Sequence, residues 1–206
     1  MNYNFDETEK ASRAYETAFK YTGKKQREYT IDDYYKLPED MRFELIDGVL
    51  FYVSAPSTIH QGIVGEIFFE IKDYIRKNKG GCVAFGNPVD VHLLQDNRTM
   101  IQPDIFVVCD RDKIIDIRVE GAPDFAVEVL SPSSRKKDSV IKFQKYKEEG
   151  VRELWLVDPM KEIVLVYDST KGEEFSIYSF RDKIPVGIFD GDLIIDMAAI
   201  SEYIDF

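Results

Sequence analysis

The sequence predicts an α/β fold, a mixed β-sheet flanked by helices with one helical crossover. Three observations carry this. The runs Phe125-Ala126-Val127-Glu128-Val129-Leu130 and Leu154-Trp155-Leu156-Val157 are almost wholly apolar, as in buried strands. Ile63, Val64, Ile67, Phe68, Ile71, Tyr74 and Ile75 repeat at helical spacing, the strongest helix signal in the chain. A second helix, from about Lys137 to Glu149, falls between those two strands, and that order suits a crossover.

The elements follow in order. Residues 1 to 28 are polar and charged, with Ala14, Ala18 and Tyr21 at helical spacing, and read as an extension before a domain spanning 29 to 206. Thr30-Ile31-Asp32-Asp33 is a capping box with Asp in the Glu position, and Pro38 ends the short helix. Phe43 to Ile46 and Val49 to Val53 flank Asp47-Gly48, a two-residue turn of type I′. The long helix starts at Ser57 or Thr58, reaches Asn78 and stops at Gly80-Gly81. Strands are expected at Val83 to Phe85, Val89 to Leu94, Ile101 to Cys109 and Phe125 to Leu130. After the second helix, capped by Gly150, come Glu153 to Val157, a hairpin of Ile163 to Tyr167 with Phe175 to Phe180, and a short helix around Met197 to Tyr203.

The bulk composition narrows the function. The chain has 206 residues, 44% of them hydrophobic, enough for one domain with a real core. Its 12 Tyr and 14 Phe argue against disorder. A net charge of -11 favours solubility and works against non-specific binding to nucleic acid or anionic membranes. No apolar run approaches the roughly 18 residues of a membrane helix, and the N-terminus lacks a signal-peptide pattern, so a cytoplasmic setting without membrane contact is expected. Cys82 and Cys109 lack the spacing of a zinc or redox motif, and Cys109, ending an apolar run, is expected to be a reduced core residue. With only two histidines a His-based metal site is not expected, and His60, at a helix start, reads as a cap-region polar residue. No Walker loop, GxGxxG or GxSxG elbow is present.

Two acids stand out. Asp104 opens the apolar run Pro103 to Val108, and Glu128 sits in the middle of another. A buried carboxylate is costly unless compensated, and a divalent cation shared by the two is the simplest compensation. Mg²⁺ is typically held by one or two carboxylates, with waters and substrate phosphates completing its shell. Taken alone, Glu128 could also face a wet sheet surface, and Asp104 could be a cap after Pro103. Glu44 is a third candidate, although it also reads as an ordinary exposed strand residue. Asp138, Lys142, Lys145 and Glu149 share one helix face, which is either a solvated stripe or a placement of Lys142 over the acids. The loop Ser131 to Lys137, with its hydroxyls and three cations, suits an anion or is a solvated basic loop.

The assembled pattern resembles the Uma family of restriction-type endonucleases, a bacterial group within the PD-(D/E)XK nuclease superfamily. The resemblance runs over roughly residues 29 to 206. It rests on Phe43-Glu44-Leu45-Ile46-Asp47-Gly48, Ser57 to His60, Gln102-Pro103-Asp104, Gly121 to Ser133, the set Asp138, Lys142 and Tyr146, and Gly150 to Pro159. It implies a restriction-endonuclease-like core and a Mg²⁺- or Mn²⁺-dependent endonuclease acting on DNA. Asp104 and Glu128 match the metal-binding acids, and Glu44 the additional upstream acid. The superfamily signature places Lys two residues after the Glu, where this chain has Leu130. Lys142 on the next helix is the matching residue, with Lys136 and Lys137 as competitors. A homodimer would allow both strands of a duplex to be cut. The alternative is a catalytically silent nuclease-fold protein that binds a partner or nucleic acid.

Overall fold

The structure, a computed structural model, describes residues 9–93, 96–132, 134–135, 137–172 and 174–204. Helix α1 (Glu9–Thr22) turns Ala14 and Ala18 inward, where they pack with Phe43, Leu45 and Leu50. The described part of the expected extension is therefore held against the first hairpin. The capping box forms: the Thr30 hydroxyl accepts the Asp33 N–H, and Asp33 accepts the Thr30 N–H at the start of α2 (Ile31–Tyr34). Strands β1 (Phe43–Ile46) and β2 (Val49–Tyr52) pair through Asp47 and Gly48, whose φ values of 52° and 77° are those of a type I′ turn. Ser57 caps α3 (Thr58–Lys77) by accepting the His60 N–H at 3.2 Å.

The remaining strands are β3 (Val83–Gly86), β4 (Val91–His92), β5 (Met100–Ile101), β6 (Ile105–Val108), β7 (Val119–Glu120) and β8 (Phe125–Val129). A π-helical turn (Lys137–Lys142) runs into α4 (Phe143–Glu148). Then come β9 (Glu153–Asp158), β10 (Ile163–Asp168), β11 (Phe175–Ser179), β12 (Lys183–Pro185), β13 (Ile194–Asp196) and α5 (Met197–Ile204). Of the expected strand Val89 to Leu94, only Val91–His92 is in a ladder, and Leu94 lies outside the described residues.

The central mixed sheet has the order β11-β10-β9-β8-β6-β3. Its β8–β9 pair is parallel, as the crossover predicts, and its other pairs are antiparallel. A five-stranded sheet, β2-β1-β5-β4-β7, stands beside it, and β12 and β13 form a separate ribbon. The expected single strand from Ile101 to Cys109 divides between the two large sheets. Pro103 has no N–H to give to a ladder, so the chain leaves the smaller sheet after Ile101 and joins the central one at Ile105. Gln102, Pro103 and Asp104 thus bridge the sheets.

Alternation along β8 separates two cores. Phe125, Val127 and Val129 pack with Ile63, Ile67 and Ile71 of α3 and with Trp155. Ala126 and Leu130 face the other way, toward Ile141, Tyr146 and the smaller sheet. Glu128 lies on that second face, between the central sheet and the crossover segment.

The expectation for Cys109 is corrected. Cys82 and Cys109 form a disulfide. The register of β3 on β6 pairs Val83 with Val108, and one step further it sets the two cysteines side by side. Their separation of 27 residues in sequence hides this neighbourhood. No helix among the described residues is long and apolar enough to cross a membrane.

Candidate active site

The two sheets and the crossover segment enclose a cleft of about 980 Å³, lined by Glu44, Asp104, Glu128, Lys137, Asp138 and Lys142 among others. Each acid arrives for a local reason. Glu128 is carried by the buried central strand β8. The β6–β8 register pairs Ile105 with Val127, and one further step places Asp104 beside Glu128. Val129 donates its N–H to Asp104 Oδ2 at 2.8 Å, which fastens the strand entrance to β8. Glu44 comes from β1 in the smaller sheet and accepts the Gln102 N–H at 3.0 Å. The Pro103 crossing therefore ties the two acid-bearing sheets together.

Lys142 links them. Its Nζ lies 2.5 Å from Glu128 Oε1, 2.9 Å from Glu44 Oε1 and 3.7 Å from Asp138 Oδ1, and the side chain is only 2% exposed. The helix-face alternative resolves in favour of burial: the π-helical turn directs both Asp138 and Lys142 inward. Such turns are frequent at functional sites. Leu130, two residues after Glu128, is buried in the apolar core and can offer no cation to the site. Lys137, the competitor named above, pairs with Glu44 Oε2, whereas Lys136 and Ser133 lie outside the described residues. Arg135, from the hydroxyl-rich loop, is turned away onto Asp158.

Glu44 is brought to the cluster, but its oxygens are engaged by Lys137, Lys142 and the Gln102 N–H. Burial alone would raise its pKa, and the two lysines override this and hold it at about 2. Glu128 goes the other way. Burial, together with Asp138, Asp104 and Glu44, pushes it up to about 8 against the pull of Lys142. Tyr146 donates its hydroxyl to Glu128 Oε1 at 2.6 Å, and burial drives that phenol well above its usual range. Lys142 is also raised, since its carboxylate neighbours outweigh its burial. Between the ordinary value of 4.5 and about 8, the folded state keeps a proton on Glu128 that the unfolded chain releases. This contribution to stability is complete below 4.5 and is lost as pH rises through 8. In metal-free protein the urea midpoint should fall from about pH 6 to about pH 9, and Glu128→Gln should reduce that fall.

His60 is the residue that sequence reasoning passed over. Its Nε2 lies 3.3 Å from Asp104 Oδ2, and its Nδ1 is buried with no hydrogen-bond partner among the described residues. Burial lowers its pKa, but the hydrogen bond and the charge of Asp104 raise it further than burial depresses it. The available signal was the Ser57 to His60 block in the family pattern: a cap that starts α3 also delivers the third residue of its first turn to the cleft.

Among the described residues, no three or more of the His, Cys, Asp and Glu side chains converge in a way that could hold a metal ion. The carboxylates that could serve a divalent cation are the neighbouring pair Asp104 and Glu128, and Mg²⁺ is a cation that can be held by so few protein ligands. The chain matches the Uma2 family, described as "Putative restriction endonuclease", over residues 31–197. A solved structure, a "putative nuclease belonging to DUF820" from Anabaena variabilis ATCC 29413, shares the fold with a TM-score of 0.71 and 23% identity. The alignment covers 85% of this chain and 99% of that one. No curated protein matches the chain.

Proposed function

The chain belongs to the Uma2 family, whose description reads "Putative restriction endonuclease", and on that premise we propose that it is a metal-dependent endonuclease hydrolysing phosphodiester bonds in DNA. The observation that carries the reading is the Lys142 ammonium set between Glu128 and Glu44 in the cleft that also holds Asp104. It supplies the lysine missing after Glu128 from a different element.

Asp104 and Glu128 would hold the divalent cation, Mg²⁺ or Mn²⁺. When bound, the cation would lower the pKa of a water and offset charge at the scissile phosphate. The chain's own groups prepare this. Tyr146 and Lys142 hold Glu128 in place through Oε1. Val129 and His60 fix Asp104 through Oδ2, so both carboxylates that would hold the cation are oriented by the chain itself. Glu44, expected as a third ligand, serves in this proposal as the anchor for Lys137 and Lys142. Lys142 would stabilise negative charge growing on the phosphate. The proposal includes a homodimer, whose two sites could act on opposite strands, and a cytoplasmic setting.

The test is titration with Mg²⁺ or Mn²⁺, followed by calorimetry and by gel assay of supercoiled plasmid. Uptake of the cation together with nicked or linear product, abolished by a chelator, is the expected result. The silent nuclease-fold reading has support of its own, since Lys142 already faces three carboxylates and the chain carries a net charge of -11. Absence of both cation uptake and cleavage would establish that alternative.

A further inference from the structure

Among the described residues, three cations line the main cleft: Arg42, Lys137 and Lys142. The two lysines are engaged by Glu44, Glu128 and Asp138. Arg42 differs, because it makes no ion pair among the described residues. Its guanidinium instead donates Nη2 to two neutral amide oxygens, Asn87 Oδ1 and Gln102 Oε1, the second at 3.1 Å. Those amides are themselves anchored. Asn87 Nδ2 donates to the Gln102 carbonyl at 3.2 Å, and Gln102 Nε2 donates to Asp90 Oδ1 at 2.9 Å. Arg42 Nε is buried and has no hydrogen-bond partner among the described residues. The side chain is thus held in one orientation by neutral amides, with no carboxylate paired to it among the described residues, on a wall shared with a second cavity of about 600 Å³.

This arrangement has a direct use. Four carboxylates line the cleft, Glu44, Asp104, Glu128 and Asp138, in a chain that is acidic overall. A polyanionic strand needs a local cation that no carboxylate has claimed. We infer that Arg42 is the subsite that receives a backbone phosphate of the nucleic-acid strand. Guanidinium suits this task because its planar fork spreads the positive charge over the whole group and keeps it at any working pH. The neutral amides orient that fork without cancelling its charge. The inference rests on the nuclease reading but concerns binding, not bond cleavage.

Binding is measured without a metal, so that it does not depend on turnover. A short fluorescent single-stranded DNA is titrated by anisotropy in a chelating buffer over a range of salt concentrations. Arg42→Met should bind roughly tenfold more weakly, the loss expected for one charge-assisted contact. The slope of log affinity against log salt should shrink by about 0.7, the value for one phosphate of a single strand. Arg42→Lys should keep the slope while losing part of the affinity. Arg42→Gln, which can still bond to the neighbouring amides, serves as a second neutral variant, and melting curves check folding. Neutral variants with wild-type affinity and slope would overturn the Arg42 subsite and leave the nuclease reading standing. Wild-type protein that binds no DNA would overturn the Arg42 subsite, while the nuclease reading is decided separately by the plasmid assay with Mg²⁺ or Mn²⁺. Wild-type protein that binds through Arg42 but never cleaves would retain the subsite and sink the nuclease reading alone.

Discussion

Lys142→Met lowers the unfolding free energy by about 3–5 kcal/mol, the range for breaking a buried charge network by removing one partner. Methionine fills much of the same volume, so the loss is electrostatic rather than a packing defect. Without the ammonium, Glu44, Glu128 and Asp138 face one another in a buried space with only Lys137 left to offset them. Some of them then take up protons, which limits the damage. Adding Glu128→Gln to Lys142→Met should recover part of the loss, with a coupling of about 1–3 kcal/mol in a double-mutant cycle. Lys145→Met is the contrasting control. Its partner, Asp47, is partly exposed, and the change should cost less than about 1 kcal/mol. Urea denaturation of the wild type, the two single variants, the double variant and Lys145→Met measures all of this. A Lys142→Met protein as stable as wild type would mean that the ion cluster does not hold the crossover segment to the sheets.

Asp104→Asn and Glu128→Gln each reduce cleavage on the order of 10³-fold, a loss comparable to removing a principal transition-state contact. Both replacements are nearly isosteric, so the fold should survive, and Glu128→Gln removes a carboxylate whose burial is unfavourable without a cation. On the proposed site, saturating Mg²⁺ or Mn²⁺ should raise the melting temperature of the wild type and not of these variants, since a ligand stabilises only the state that binds it. His60→Ala, one step removed from the cation, should reduce activity about 10–100-fold, as outer-shell partners of metal ligands do. The ordering is the diagnostic feature. Cleavage that persists in both Asp104→Asn and Glu128→Gln would place the chemistry elsewhere. A His60→Ala loss as deep as that of Asp104→Asn would make His60 a participant rather than a positioning residue.

Some of this was legible residue by residue. Thr30 and Asp33, Asp47-Gly48, and Ser57 ahead of the apolar repeat of α3 are local signals, and each depends on a few neighbouring backbone groups. The apolar run around Glu128 and the crossover after it also identified a buried strand with a parallel partner. The division at Pro103 was partly legible, because proline cannot serve a ladder, but its destination in two different sheets was not. The disulfide escaped notice because it depends on the register of β3 against β6.

The sequence by itself singled out Asp104 and Glu128 as acids inside apolar runs, offered Glu44 as a third candidate with an exposed strand position as its alternative, and placed a lysine-bearing helix after Glu128 rather than a lysine two residues along. Only the tertiary structure decided who meets whom. It gave Lys142 to Glu128 and Glu44 together, paired Lys137 with Glu44 as well, set His60 on Asp104 and held Arg42 on two neutral amides. The physical reason is range. Capping, turns and alternation act over a few residues and can be read along the chain. Electrostatic pairing acts across space, and the Lys142–Glu44 contact joins residues 98 positions apart through the meeting of two sheets and a helical turn.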